Sequence, residues 1–344
     1  MDKTLQTSTI DLYKKMVAKL IKLKIMVNNK IININDFING IEKNKISNSQ
    51  KKIMISALLW YYKTKNINLP DNLKNDFKKI MDDIRQKQIE IAQQNLLTNR
   101  EKKNFVRWEI IKKVFKKLEL IYKKDKTLNN VTNLLMVGLY VLNKPRRIAD
   151  YLYMSIVKNE PKNLEKKNYC ILGEKKFLFN NYKTAKIYGK TLININTKLF
   201  NIILDYIKLK KLHYGDNLFE FKAKSIFITK LESIFQKYIG KTISVSLLRH
   251  IYITHLIDNN MIKSTKDKLD IAKLMGNSIP VQADYYRIIT RKMKKDNIKL
   301  SNTTKFNINN DKNFLTYKQN WYRKNKEKVK EYNKKKYKER NKKT

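Results

Sequence analysis

Apolar residues recur every three to four positions along most of the chain, which is the spacing of one face of an α-helix. In "TIDLYKKMVAKLIKLKIM", Ile10, Tyr13, Met16, Leu20 and Leu23 share a face, with lysines between them. "NINDFINGIEKN" opens on the Asn/Asp chemistry of a helix cap, and "SNSQKKIMISALLWYYKTK" is amphipathic behind Ser47 or Ser49 as its cap. "DNLKNDFKKIMDDIRQKQIEIAQQNLL" predicts a longer, highly charged helix that packs loosely or bridges to the next part of the chain. The polar stretch "TNREKKN" (98–104) reads as a linker. Beyond it, "FVRWEIIKKVFKKLELIYKK" predicts a helix with Phe105, Trp108, Ile111, Val114 and Leu118 inward, and "VTNLLMVGLYVL" a buried one.

The period then changes. "NYCILG" (168–173), "KFLFNN" (176–181) and "TLININ" (191–196) are short β-type runs joined by turn-like stretches, and they fit a three-stranded antiparallel sheet. Helical spacing resumes at "TKLFNIILDYIKLKKL" and "AKSIFITKLESIFQKYIG", the latter closed by Gly240 as a C-cap. It continues through "SVSLLRHIYITHLID" (244–258), "KLDIAKLMGN" and "PVQADYYRIITRKMKK". The fold class expected is mainly α with a small antiparallel β-sheet (α+β). A helical domain over 1–100 precedes a mixed domain over 101–298. The apolar pattern is lost in a basic tail over 299–344.

Composition sharpens this picture. A chain of 344 residues is long enough for two or three domains, and its 7 Gly and 4 Pro argue against a turn-rich all-β architecture. Lys and Arg number 76 against 30 acidic residues, a formal net charge of +46. Codon bias in an AT-rich genome accounts for many lysines but not for the shortage of Asp and Glu. Such an imbalance repels itself in the compact state, and a polyanion relieves it. Nucleic acid is the partner expected, with a membrane surface as the other candidate. The longest apolar run, "LLMVGLYVL" (134–142), is well short of the roughly 20 residues of a membrane-spanning helix. The N-terminus lacks the apolar core of a signal peptide, so an intracellular location is expected. One cysteine, Cys170, excludes an internal disulfide and a cysteine-based zinc site but leaves a carboxylate-held Mg2+ open. The tail segment 321–344 holds twelve Lys/Arg and three Glu, with Trp321, Tyr322, Tyr332 and Tyr337 among them. It is either a solvated tail or a basic arm that folds along a phosphate backbone.

Candidate chemistry lies in three stretches. "KPRRIADYLYM" (144–154) places Arg147 and Asp150 three apart, so on a helix they share a face, and the carboxylate can hold a guanidinium fork toward a phosphate. "NYKTAKIYGKTLININ" (181–196) puts Lys183 at a strand end before a turn. The third is "SVSLLRHIYITHLID" with "LMGNSIPVQADYYR" (274–287). An apolar helix there carries Arg249, His250 and His255, two of the chain's three histidines.

In this order, R-x-x-D, a lysine in "KTAK", L-R-H-x-x-x-T-H, L-M-G-x-S and a tyrosine resemble the tyrosine recombinase (phage integrase) family. The resemblance spans roughly residues 100–295, and "PRRIADY", "YKTAKIYG" and "LLRHIYITH" are similar in particular to recombinases of large eukaryotic DNA viruses and self-synthesising transposons. It implies a helical core-binding domain plus a catalytic domain, forming a C-shaped clamp around double-stranded DNA. It also implies a homodimer or homotetramer on DNA, and a site in the nucleus, viral factory or cytoplasm of an infected host. DNA would be cut and rejoined through a 3′-phosphotyrosine, with no metal or nucleotide cofactor.

Residue by residue, the resemblance aligns Arg147 with the first catalytic arginine, with Arg146 as the substitute, and Asp150 with the acidic residue that braces it. Lys183 aligns with the hairpin lysine, with Lys186 as alternate, and Arg249 with the second arginine. Tyr286 aligns with the nucleophile because it lies nine residues after Asn277, the family's L-G-H histidine position. Tyr285 is its neighbouring competitor. His250 and His255 occupy positions where the family's histidines mainly brace the helix. Two departures stand out. Ser246 replaces the histidine three residues before the second arginine, and Asn277 replaces the L-G-H histidine. Either side chain can hydrogen-bond a phosphate oxygen, but neither is a general base near neutral pH. A slower recombinase, a type IB-like topoisomerase and a non-cutting DNA-binding descendant all remain compatible with the residues.

Overall fold

A computed structural model of the chain describes residues 5, 7–27, 31, 33–221 and 223–289. The chain divides into two compact units, 1–94 and 95–344. The division falls after Gln94, so the stretch expected to link the domains belongs to the second unit. The tail from 299 lies outside the described residues.

The first unit is four helices: α1 (Thr7–Lys22), α2 (Ile34–Lys43), α3 (Asn48–Thr64) and α4 (Asp71–Gln93). Asn33 caps α2 by accepting from the Asp36 amide, and Ser47 caps α3 by accepting from the Gln50 amide; Ser49 lies inside the helix. Leu20, Phe37, Ile41, Met54, Leu58 and Phe77 form its core, with the Phe37 and Phe77 rings edge to face at 5.1 Å. The charged helix α4 buries only Leu73, Phe77 and Ile84.

The second unit begins with α5 (Asn99–Asn104), where a linker was expected. Thr98 accepts from the Glu101 amide while Glu101 accepts from the Thr98 amide, a capping box that satisfies two end amides at once. α6 (Trp108–Lys124) and α7 (Leu128–Val141) come next, and the five residues expected to point inward from the first stretch are all buried. After them lie α8 (Ile148–Leu152), β1 (Ser155–Val157), β2 (Tyr169–Ile171), β3 (Lys176–Phe179), the single turn α9 (Ala185–Tyr188) and β4 (Thr191–Asn194). The sheet runs β1-β2-β3-β4, with β1 parallel to β2 and the other pairs antiparallel. It is therefore mixed and four-stranded rather than three-stranded and antiparallel. Strand β1 has three residues, too few to show an alternation in the sequence.

α10 (Thr197–Lys210), α11 (Lys224–Ile239), α12 (Val245–Asp258), α13 (Thr265–Met275) and α14 (Ile279–Ala283) complete the described elements. Helices α6, α7 and α10 pack through Ile111, Val114, Leu135, Leu139, Leu199 and Ile203. Gly240 ends α11 at φ +64°, as expected of its C-cap. A helix was expected through residue 289 and beyond, but α14 stops at Ala283. Beyond it the Arg287 amide donates to Thr254 Oγ1 (3.0 Å) and the Ile288 amide to the Asn95 carbonyl (2.9 Å), which takes both out of helical pairing. No helix among the described residues is long and apolar enough to cross a membrane.

Candidate functional site

Helix α12 starts where Ser244 accepts from the Leu247 amide. Its apolar residues wrap nearly all the way round, so Arg249 is carried into the interior and is only 2% exposed. The guanidinium Nη2 donates to the Met275 carbonyl (3.3 Å), the Tyr285 ring centroid lies 4.8 Å from Cζ, and Nε has no partner. Burial lowers the Arg249 pKa to about 10; Tyr285 opposes the shift and the neighbouring Arg147 adds to it.

The second cation comes from the loop before α8. Arg146 is 1% exposed, its Nε donates to Asp150 Oδ2 (2.9 Å), and Nη1 donates to the Leu274 carbonyl (2.8 Å). Its Cζ lies 3.8 Å from the Phe179 ring centroid and 4.8 Å from that of Tyr182. Asp150 therefore braces Arg146 rather than Arg147. The reason is local: Arg147 is the N-cap of α8 and has extended backbone, so it does not share a helical face with Asp150. Arg147 is half-buried and its Nη1 donates to the Gly276 carbonyl. Burial raises the Asp150 pKa against the pull of Arg146.

The Arg146 and Arg249 guanidiniums thus end on the last turn of α13, and Arg147 on its C-cap, Gly276. The carbonyls there lie at the negative end of the helix dipole, and of those that the arginines meet only that of Lys273 also accepts from a backbone amide, that of Gly276 (3.1 Å). Gly276 closes that helix at φ +64°, and a Cβ there would lie 2.7 Å from Arg146 Nη2. The glycine is set by both the backbone and the arginine.

The adjacent tyrosines part company. Tyr285 packs its ring on Arg249 and against the His250 ring, centroid to centroid 4.9 Å. Tyr286 instead donates its hydroxyl to Asp258 Oδ1 (3.4 Å), and burial followed by that carboxylate raises its pKa. The segment is held by Glu101, whose Oε1 meets Arg287 Nε at 3.4 Å and His250 Nδ1 at 3.5 Å. Burial first, and Arg287 next, lower the His250 pKa to about 4, so its ring is neutral at neutral pH. His255 lies beside Glu109 at 3.3 Å and stacks on Trp108.

Lys183 is exposed in the turn after β3, and Lys186 is exposed on α9. Their connection is tied to the site at two points. Tyr182 contributes a ring to Arg146, and the Tyr188 hydroxyl donates to the Asn277 carbonyl (2.9 Å). Ser246 is exposed on α12, one helical turn before His250. Asn277 is fully buried, and neither its side-chain oxygen nor its nitrogen has a partner. Among the described residues, no group of three His, Cys, Asp or Glu is placed to hold a metal ion.

Sequence reasoning gave no role to Gly276, Tyr182, Tyr188, Glu101, Asp258 or Arg287. Gly276 lies in the quoted L-M-G-x-S stretch and Tyr182 and Tyr188 in "YKTAKIYG", and Glu101 had the T-x-x-E signal of its capping box. Comparison of the sequence with known protein families and with curated proteins gives no match.

Proposed function

We propose that this protein is a tyrosine-dependent DNA strand transferase, a site-specific recombinase or integrase that cuts and rejoins DNA through a 3′-phosphotyrosine. One observation carries the proposal. Arg147 and Arg249, about a hundred residues apart in the chain, meet at one turn, with a tyrosine ring against Arg249. The net charge of +46 supplies the general attraction to DNA.

In this mechanism the scissile phosphodiester lies between the Arg147 and Arg249 forks. As a pentacoordinate transition state forms, its non-bridging oxygens gain charge, and two guanidinium forks stabilise that gain. Asp150 fixes Arg146, which supports the turn from behind. A phenol oxygen attacks phosphorus and displaces the 5′-oxygen, which needs a proton; Lys183, on the connection anchored by Tyr182 and Tyr188, is the donor proposed. The bond energy is kept in the phosphotyrosine, so rejoining needs no nucleotide. Exchange between two duplexes requires several protomers on DNA.

A second reading is favoured by Ser246 and Asn277, which replace two expected imidazoles: a DNA-binding protein that does not cut. The two are separated with a duplex carrying the DNA that flanks this gene, nicked near the cleavage position so that the cut end is lost. Strand transfer leaves a protein–DNA adduct that survives detergent. Tight binding without adduct sinks the transferase proposal. Relaxation of supercoiled plasmid without sequence preference or strand exchange moves it to a topoisomerase.

A further inference from the structure

We propose that Tyr285, and not Tyr286, is the tyrosine that attacks phosphorus. This deepens the strand-transfer proposal and rests on it. The motif spacing selects Tyr286 by counting from Asn277, and such counting assumes that the chain between them keeps a fixed path. Here α14 ends at Ala283, and the two tyrosines emerge beyond it toward different surroundings. The Tyr285 ring lies 4.8 Å from the Arg249 Cζ and 4.9 Å from the His250 ring. The Tyr286 hydroxyl lies 3.4 Å from Asp258 Oδ1, at the far end of α12 from Ser246.

The electrostatics count against Tyr286: the Asp258 carboxylate that accepts its hydroxyl proton disfavours the phenolate needed for attack. Exchanging the two residues also meets mechanical resistance. Tyr286 would have to leave Asp258, and the segment would have to turn over against the Arg287 amide bond to Thr254 Oγ1 (3.0 Å) and the Ile288 amide bond to Asn95 (2.9 Å). His250 backs the Tyr285 ring from α12. It stands one turn after Ser246, so helix α12 still presents an imidazole to the tyrosine although the motif position has lost it.

The step balances without a co-reactant. The Tyr285 Oη–P bond forms as the P–O5′ bond breaks, leaving a 3′-phosphotyrosine. The phenol proton leaves to solvent, and the departing 5′-oxygen takes one from Lys183, which solvent recharges. The net change moves one proton from phenol to the new 5′-hydroxyl, and rejoining reverses it.

The test uses the full chain and the same nicked flanking duplex with wild-type protein, Tyr285→Phe and Tyr286→Phe, each checked for an unchanged melting temperature. Adducts are counted after detergent. The wild-type adduct is then digested with trypsin and nuclease, which leaves a nucleotide on the 274–287 peptide between Lys273 and Arg287, and fragmentation locates it. The expected result is a nucleotide on Tyr285, adduct abolished in Tyr285→Phe and retained in Tyr286→Phe. A nucleotide on Tyr286, with adduct lost only in Tyr286→Phe, overturns this inference and leaves the strand-transfer proposal standing. Absence of adduct in the wild type overturns the proposal itself.

Discussion

Substitution of Gly276 by alanine tests whether the arginine cluster is as tightly built as the distances indicate. Two costs add. At φ +64° an L-residue pays about 1 kcal/mol for a left-handed backbone. The new Cβ would also lie 2.7 Å from Arg146 Nη2 and 3.3 Å from Asp150 Oδ2. A flexible side chain would step aside. Arg146 cannot, because Nε is held by Asp150 at 2.9 Å, Nη1 by the Leu274 carbonyl at 2.8 Å, and the Phe179 ring covers its face. Overpacking of a fixed site costs roughly 1–3 kcal/mol. The total is about 3 kcal/mol, which for a unit of this size lowers the melting temperature by roughly 6–12 °C.

Circular dichroism melts of four proteins measure it: wild type, Gly276→Ala, Arg146→Ala and the double variant. With Arg146 removed, the 2.7 Å clash is gone, and the backbone cost of about 1 kcal/mol and the 3.3 Å approach to Asp150 Oδ2 remain, so the cycle should show a coupling of about 1–2 kcal/mol. Gly276→Asn should recover part of the backbone cost, because asparagine tolerates this conformation, but not the clash. A Gly276→Ala loss below about 1 kcal/mol, or the same loss with and without Arg146, refutes the claim that the two residues are packed against each other.

The same geometry predicts three further outcomes. Arg249→Lys should keep the fold and lower the rate of adduct formation by about 10²–10³-fold, because a point charge replaces a fork at the developing phosphate charge; a rate within a few-fold of wild type in single-turnover assays would remove Arg249 from the site. His250 has a folded pKa of about 4 against 6.5, so the unfolded chain binds its proton first as pH falls. Its contribution is intact above pH 6.5 and is lost toward pH 4, and Glu101, whose pKa is lowered, pulls the same way at its acid end. The loss from His250 is on the order of 2–3 kcal/mol; urea melts of wild type and His250→Gln across this range should converge at low pH, and parallel curves would contradict it. Complete burial pushes the Cys170 thiol up to about 12, so iodoacetamide at pH 8 should leave the native thiol unmodified and label it after unfolding; rapid native labelling, followed by mass spectrometry, would refute the burial.

Much of the helical layout is legible in the sequence because each helix repeats its own evidence. Leu118 is predicted inward by Val114 and Ile111 before it, and Ser47 or Asn33 announces a start with its own side chain. Short elements offer no such repetition. β1 is three residues long and is recognisable only by its pairing of Ile156 with Cys170. The stretch 98–104 reads as a linker because all seven of its side chains are polar, yet Thr98 and Glu101 make it a helix by bonding each other's amides. At the site, residue type is legible and partner is not. Arg146, Arg147 and Asp150 lie within five residues, and which arginine takes the carboxylate depends on where α8 begins, a matter of one residue. Tyr285 and Tyr286 pose the same problem, because the end of α14 and the Asn95 and Thr254 contacts decide which faces Arg249, and both partners are distant in sequence.

The ends of those arginines explain how so many cations share one buried space. Three guanidiniums and one carboxylate leave a surplus of positive charge, and burial together with its neighbours already lowers the Arg249 pKa to about 10. The carbonyls of Lys273, Leu274, Met275 and Gly276 offset part of that surplus, since they form the negative end of α13. Carbonyl dipoles do so incompletely: Arg249 Nε and Arg146 Nη2 are buried without a partner, and so are both polar atoms of the Asn277 side chain. Leaving such groups unpaired costs about 1–3 kcal/mol each. On the proposed function, a phosphodiester would bring a full negative charge and unused acceptors to the place where donors and charge are in excess. The same helix end that holds the arginines together in the free protein would then keep them together on DNA, while the Tyr285 ring, 4.8 Å from the Arg249 Cζ, would have to shift for a phosphate to reach a guanidinium that is 2% exposed.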